Sequence, residues 1–207
     1  MTRRPLLVSA LAVAFTLVLF TSRAGAQVHW DASAQIGVMK RNLVERPVGG
    51  ARDATIGPVG QLTGHVALFP LVRVGAYFGH DISPFQGEAS ARDITWGGLR
   101  AKLMSPWPRG DFRSWLFFGF GFAGVYERST PAAGLPGAGG SFFEVPFGLG
   151  ASYKLRKPWE LCAELGGRVG FGHTGSIYDP VSEPRQTTWH GTDRFGVGLT
   201  VGVLVDL

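Results

Sequence analysis

Charged side chains that alternate with apolar ones are the residues of this chain best suited to chemistry. They are Arg73, Arg100, Lys102, Glu144, Lys154, Glu160, Glu164, Arg168 and Arg194. Because a charge that leaves water must be paired or strongly hydrogen-bonded, this set predicts a ladder of ion pairs that fills an interior. The alternative is a gated ion path, which a break in the same ladder would open.

A histidine and a serine three positions apart, His173 and Ser176, come nearest to a catalytic pair, with Glu164 or Glu183 as the orienting acid. Such a pair would perform base-activated nucleophilic chemistry. Serine and histidine in a polar loop are more often solvated, so the sequence predicts no enzymatic activity and no catalytic residue. The five His are scattered and Cys162 is the only cysteine, which predicts no metal site, no cofactor and no intramolecular disulfide.

Residues 1–26 have the pattern of a secretory signal peptide. Two arginines precede an apolar run at 5–20, and small residues end the segment at Ala26. We expect cleavage after Ala26 and one domain over residues 27–207. A retained membrane anchor is the alternative interpretation of the apolar run.

The charge balance changes once this segment is removed. It holds three of the 20 basic residues, so the formal net charge falls from +5 to +2. A charge this small does not predict a nucleic-acid partner. The charged fraction of 17% is below the roughly 25% of soluble proteins, which indicates a surface that is not wholly in water.

The C-terminal segment alternates with a period of two, which is the spacing of a β-strand. Its apolar row consists of Phe195, Val197, Leu199, Val201, Val203, Val205 and Leu207. The opposite row is mostly glycine with Thr200 and two charges, and only Leu204 departs from the pattern. An unbroken apolar row opposite small or polar residues is typical of a transmembrane strand with lipid outside and a narrow polar interior.

Seven further segments alternate in the same way. The eight segments cover residues 28–39, 59–69, 72–79, 94–104, 114–126, 142–155, 159–171 and 192–207. The connections after odd segments are long and those after even segments are short, as in outer-membrane barrels whose turns face the periplasm. The sequence therefore predicts an all-β fold, an eight-stranded antiparallel up-and-down transmembrane β-barrel.

Aromatic residues fall near both ends of these segments, where interfacial girdles are expected. The periplasmic set is Trp30, Trp107, Trp115 and Trp159, and the outer set is Tyr126, Phe143, Phe171 and Trp189. Trp115 also falls on the inward face of its segment, and Trp96 leaves the faces of the fourth segment ambiguous.

The chain resembles the small eight-stranded outer-membrane barrels of the outer-membrane protein A and X type over residues 27–207. The resemblance rests on the architecture and on the last strand, where Thr200, Gly202, Val205 and Leu207 occupy the places of the family's assembly signal. Aliphatic residues stand where that signal has two aromatics. The resemblance implies a monomer in the bacterial outer membrane, recognised by the barrel assembly machinery through its C-terminal strand. Outer-membrane lipids and lipopolysaccharide are the other implied partners.

These features favour an outer-membrane protein of structural or adhesive type and leave its ligand unidentified. Mixed charges and aromatics lie in the first predicted loop (Lys40, Arg41, Glu45, Arg46, Arg52, Asp53) and the fourth (Tyr178, Asp179, Glu183, Arg185, Trp189). One alternative is a lipid A-modifying enzyme, because deacylases that resemble this fold use a neighbouring His and Ser, although His173 and Ser176 miss their spacing by one residue. Another is a soluble periplasmic lipocalin-like carrier, whose polar faces would be solvated rather than dominated by glycine.

Overall fold

The computed structural model describes residues 29–43, 55–84, 91–107, 110–128, 139–175 and 193–207. Its strands are β1 (Trp30–Leu43), β2 (Gly57–Phe69), β3 (Val72–Pro84), β4 (Ala91–Met104), β5 (Phe112–Arg128), β6 (Gly139–Arg156), β7 (Trp159–Thr174) and β8 (Asp193–Asp206). Among these residues, no helix is long and apolar enough to cross a membrane. The predicted eight-stranded all-β fold is confirmed.

The sheet closes on itself because each strand pairs antiparallel with the next and β8 pairs with β1. A path that starts at Trp30 and passes from each residue to its cross-strand partner goes once around the barrel and returns to β1 at Lys40, not at Trp30. The register of the closed sheet is therefore staggered. Such a stagger tilts the strands against the barrel axis, and closure leaves no free sheet edge. At the seam, the backbone N–H groups of Trp30 and Leu207 each donate to the other residue's carbonyl at 2.9 Å.

The strands place apolar side chains outside and polar side chains inside, as their alternation predicts. In β8, Leu199 is 50% exposed whereas the adjacent Thr200 is 5% exposed. Leu204 lies inside, in a small apolar cluster with Trp115 and Cys162. A carrier barrel dissolved in water needs polar residues on its outer surface, so the observed polarity is opposite to that of the lipocalin-like alternative.

Glycines on the inner face make room for two large indole rings. A Cβ at Gly150 would lie 2.3 Å from Nε1 of Trp115, and a Cβ at Gly79 would lie 2.1 Å from Cη2 of Trp96. Both tryptophans are therefore buried inside the barrel. The prediction that Trp115 belongs to an interfacial girdle was wrong. Trp96, which left the faces of the fourth segment ambiguous, points inward.

The two ends of the barrel differ in their connections. Tight turns follow β2 and β6, and the strands at both termini end on the same side, which we call the turn end. Exposed aromatics lie near the turn end (Trp30, Trp107, Trp159) and toward the opposite, long-connection end (Tyr126, Phe143, Phe171). Trp189 and the predicted signal peptide lie outside the described residues.

Most strands continue further toward the long-connection end than the alternation predicted, β1 and β3 by the most residues. β1 reaches Leu43 and β3 reaches Pro84, so Arg41 and Asp81 are strand residues. Assigning Lys40 and Arg41 to the first loop was wrong, since both belong to β1 and the Arg41 side chain is 1% exposed inside the barrel. Because the interior is polar, a charged residue that points inward at a strand end cannot be distinguished in the sequence from a charged loop residue.

Candidate functional site

The barrel interior holds the buried charged side chains and is the candidate functional site. These are Asp31, Arg41, Asp81, Arg92, Arg100, Lys102, Glu144, Glu160, Glu164 and Arg168. Every second residue of each strand points inward, and closure brings the inward rows of all strands together. The charges and their polar neighbours form three layers between the turn end and the long-connection end.

Asp31 is the centre of the layer at the turn end. Lys102 Nζ donates to its Oδ1 at 2.8 Å and Arg73 donates to its Oδ2 at 2.7 Å. Nδ1 of His65 lies 3.0 Å from the same Oδ1. The Asp31 carboxylate therefore joins residues of four strands, β1 to β4.

Arg73 extends this layer to the remaining four strands. It also donates to Asp206 Oδ1 at 2.9 Å, and Arg113 donates to Asp206 Oδ2 at 2.7 Å. Arg113 in turn donates to Glu160, which accepts a second hydrogen bond from Ser152 Oγ at 2.6 Å. We call the resulting chain of contacts the turn-end network; it takes one residue from each strand: Asp31, His65, Arg73, Lys102, Arg113, Ser152, Glu160 and Asp206.

Glu164 is the centre of the middle layer. Its carboxylate accepts hydrogen bonds from Arg100 at 2.5 Å, from Gln61 Nε2 at 2.9 Å and from Trp115 Nε1 at 3.3 Å. Gln61 also donates to Gln35 Oε1 at 3.0 Å. Three donors to one buried carboxylate fix its position.

Arg168 organises the layer nearest the long-connection end. Its guanidinium donates to Glu144 Oε1 at 2.5 Å and lies 3.5 Å from the ring centroid of Trp96. The hydroxyl of Tyr77 donates to the same Glu144 oxygen at 3.1 Å. A carboxylate on one side and an aromatic face on another stabilise the buried cation together.

Arg41 and Asp81 form a second pair in this layer. Arg41 Nε donates to Asp81 Oδ1 at 3.0 Å and its Nη2 donates to Oδ2 at 2.7 Å. The indole N–H of Trp96 donates to Oδ2 at 2.8 Å. Bidentate pairing fixes both position and orientation, so these contacts connect β1, β3 and β4 rigidly.

Paired side chains of non-neighbouring strands meet in the interior that the structure describes. A cavity of about 20 Å³ lies beside Met39, Gln61 and Thr200. A cavity of roughly 10 to 15 Å³ suffices for one water molecule. The arrangement therefore fits the predicted ladder of ion pairs better than an open ion path.

Comparison with solved structures identifies barrels of the same architecture. Neisserial surface protein A is 9% identical with a TM-score of 0.58, and the alignment covers 86% of this chain and 97% of that chain. A major outer membrane protein from Thermus thermophilus is 14% identical, with a TM-score of 0.58 and coverage of 88% and 100%. The outer membrane protein OprG from Pseudomonas aeruginosa is 9% identical, with a TM-score of 0.55 and coverage of 87% and 96%. No protein-family model and no curated protein matches the sequence.

The chain has the fold of the small eight-stranded outer-membrane β-barrels. At these identities the likeness establishes the fold, and the charged interior must be interpreted from its own contacts.

Most of the predicted inward charges take part in the three layers. They are Arg73, Arg100, Lys102, Glu144, Glu160, Glu164 and Arg168. Arg194 is exposed at the rim of the barrel, so its assignment to the ladder was wrong. Lys154 is half-buried near the turn end and lies outside the contacts described above.

Sequence reasoning missed several members of the layers. Asp31 follows the first tryptophan of β1 and is in phase with the inward Ser33 and Gln35, a signal that was available. Asp81 and Arg41 were missed because they lie beyond the predicted strand ends. Arg113 was assigned to a connection for the same reason.

Of the residues considered for catalysis, the structure describes His173 and Glu164, and Glu183 lies outside the described residues. The ring of His173 stacks on Phe142 with centroids 5.1 Å apart, and Ser176 lies outside the described residues. Glu164 precedes His173 by nine positions of the same strand, which corresponds to about 30 Å, so it is too far away to orient the imidazole. Within the described ranges, no group of three His, Cys, Asp or Glu is placed to bind a metal ion.

Proposed function

We propose that the protein is an outer-membrane barrel of structural or adhesive type whose interior is closed. The observation that carries this proposal is the combination of apolar outward rows with an interior filled by paired charges. Apolar rows of this extent are stable only against lipid, and closed barrels are one of two structures that satisfy every backbone group there. Paired charges with little space between them favour a closed interior over a pore.

The orientation follows from the two barrel ends. Short turns of outer-membrane barrels face the periplasm, so the proposal assigns the turn end to the periplasm and the long connections to the outside. The proposal includes cleavage after Ala26, a monomeric barrel, and recognition of β8 by the barrel assembly machinery. The outer partner would contact the long connections, and lipopolysaccharide phosphates are the partner that their arginines favour.

Reconstitution tests the closed interior. The mature chain should fold only in detergent or lipid, into a form that migrates differently on a gel unless it is heated. In planar bilayers it should show no steady conductance, because hydrogen-bonded side chains of non-neighbouring strands meet across the interior. A steady pore current would contradict the closed interior, and a soluble monomer without detergent would contradict the membrane location.

Capture of lipopolysaccharide vesicles by the folded barrel tests the adhesive part. A variant with residues 176–192 replaced by a Gly-Ser linker of equal length should bind fewer vesicles and keep the heat-dependent gel shift. Equal capture by both proteins would exclude this connection as the binding surface. Loss of an acyl chain from lipid A during the incubation would favour the enzymatic alternative.

A further inference from the structure

Three polar side chains that can perform acid–base chemistry lie together on the outer surface of β3 and β4. Asp93 and Thr95 are two residues apart in β4, on the face opposite the buried Ile94. His80 of β3 is the cross-strand partner of Thr95. Its Nδ1 lies 2.9 Å from Thr95 Oγ1, and its Nε2 lies 3.7 Å from Asp93 Oδ1. The imidazole therefore has a hydroxyl on one side and a carboxylate on the other.

This order of groups is the one that activates a hydroxyl as a nucleophile. The carboxylate beside Nε2 favours a proton on that nitrogen, which leaves Nδ1 to accept the proton of Thr95. The contact between Nε2 and Asp93 is longer than a hydrogen bond, and free enzymes commonly show long catalytic contacts that shorten when substrate binds.

The hydroxyl and the imidazole are open to a substrate. Thr95 is exposed and the His80 side chain is 44% exposed, whereas that of Asp93 is 12% exposed. Both flanking cross-strand partners are glycines, Gly60 beside His80 and Gly124 beside Thr95. A Cβ at Gly60 would meet no described atom within 4 Å, and a Cβ at Gly124 would meet only the Thr95 backbone oxygen, at 3.9 Å. Open space thus borders the two groups that a substrate must reach.

The three residues lie at the boundary of the apolar outer surface on the long-connection side. In β5, the outward row from Phe112 to Phe122 extends about 25 Å along the barrel axis at a strand tilt of roughly 40°. This is the height of the apolar band of an outer-membrane barrel, about 25 Å. Gly124, the partner of Thr95, follows Phe122 by two residues on the same face. At this tilt a cross-strand step shifts the level by about 3 Å, so Thr95 lies within about 2 Å of the level of Phe122.

We propose that Thr95, His80 and Asp93 form a hydrolytic site for the ester bond of a lipid acyl chain in the leaflet at the long-connection end. The ester joins the apolar chain of a lipid to its polar headgroup, so its carbonyl group lies at this boundary. The inference rests on the proposed membrane location and adds a chemical activity to the proposed structural or adhesive role.

The reaction consists of two displacements, and water is the second reactant. Thr95 Oγ1 attacks the carbonyl carbon while Nδ1 of His80 takes the hydroxyl proton. The bond from that carbon to the lipid oxygen breaks, and the oxygen takes the proton from His80 and leaves as the alcohol of the lysolipid. Water then attacks the threonine ester, its proton returns through Nδ1 to Thr95 Oγ1, and the fatty acid leaves. Asp93 is a positioning residue that stabilises the protonated imidazole.

Lipid hydrolysis by the folded full chain in vesicles tests the site. One set of vesicles consists of ester-linked phosphatidylethanolamine, a second contains lipopolysaccharide, and a third consists of the ether-linked analogue of the phospholipid. Mass spectrometry of the extracted lipids should detect free fatty acid and the deacylated lipid in the first or the second set, which identifies the source of the ester, and neither product in the third. Absence of both products from both ester sets would overturn the proposal.

Variants separate the site from any contaminating esterase. Thr95→Val and His80→Gln should each lower the rate at least about a hundredfold, the usual contribution of a general base. Thr95→Ser keeps a hydroxyl and should retain most of the rate. Ser141→Ala is the matched control and should retain the full rate, because the exposed Ser141 hydroxyl lies 3.1 Å from the Thr174 hydroxyl and not beside an imidazole. Equal rates for Thr95→Val and Ser141→Ala would overturn the proposal.

The role of Asp93 has its own test. Asp93→Asn should lower the rate, and Asp93→Glu should restore part of it because a carboxylate again faces Nε2. An equal loss in both variants would overturn the positioning role.

Failure of the wild-type chain to show the heat-dependent gel shift in vesicles would instead contradict the membrane location. A barrel that shows the gel shift and releases no fatty acid contradicts the hydrolytic site alone. The two failures are therefore distinguishable.

Discussion

Glu164 shows how a single buried charge is held in this barrel. Its carboxylate is 2% exposed and accepts hydrogen bonds from Arg100, Gln61 and Trp115. Burial of a carboxylate is costly by itself, and the cost is offset only when partners of this quality surround it. Removing one partner therefore lowers the stability of the barrel by more than the intact ion pair contributes to it, because the other partner is left charged and unpaired.

The Glu164→Lys substitution should lower the free energy of unfolding by about 3 to 5 kcal/mol, because it places a second cation beside Arg100. The urea midpoint of the folded barrel in detergent measures this change. Arg194→Glu is the matched control, since Arg194 is exposed at the rim and such a substitution changes stability by roughly 0.5 kcal/mol or less. Midpoints that moved equally would mean that the inward face of β7 is wrongly assigned.

Among the strands, β6 has a local defect that its neighbours compensate. Pro146 lies in the middle of β6 on the inward row, and pairing with β5 is interrupted opposite Gly119 and Phe120. Proline has no N–H to donate to the ladder, which explains the interruption. On the outer side, the ring of Phe120 stacks on that of Phe143 at 5.7 Å, and such a contact contributes about 0.5 to 1.5 kcal/mol.

Pro146→Val should raise the stability of the barrel by about 0.5 to 1.5 kcal/mol, because it restores a backbone donor at a position of similar side-chain volume. The control is Pro58→Val, at the exposed second residue of β2, where a missing donor costs less. Urea midpoints of both variants measure the difference. A lower midpoint for Pro146→Val would mean that packing of the ring, not the missing donor, determines stability at this site.

Alternation predicted the faces of the strands well because lipid and a polar interior impose a period of two on each strand separately. It failed at the ends of β1 and β3, where Arg41 and Asp81 continue an inward polar row that resembles a loop in sequence. It also gave Trp115 two incompatible positions. The choice between them depends on Gly150, which is on the neighbouring strand and is not near Trp115 in the chain.

At the scale of the whole molecule, the turn-end network connects all eight strands through one residue of each. Which arginine meets which carboxylate depends on the stagger of the closed sheet, since Arg73 of β3 reaches Asp206 of β8 across the interior. Periodicity within a strand carries no information about that stagger. The sequence therefore predicted that inward charges pair, but it could not predict the pairs.

The polarity of the entire barrel can be tested with two adjacent residues of β1. Ile36 points outward and is 72% exposed, and Gln35 points inward and is 3% exposed. A lysine on the lipid face costs about 2 to 4 kcal/mol near the centre of the membrane. A lysine at position 35 is close to glutamine in length and would lie in the layer that contains Glu164, a favourable partner.

Ile36→Lys should therefore reduce the amount of heat-shifting barrel in the membrane fraction, and Gln35→Lys should reduce it much less. Both variants carry the same added charge in the same strand, so general effects on export or solubility cancel in the comparison. If Gln35→Lys lost the folded barrel while Ile36→Lys kept it, the outer surface would be in water rather than in lipid. The proposed membrane location would then be wrong.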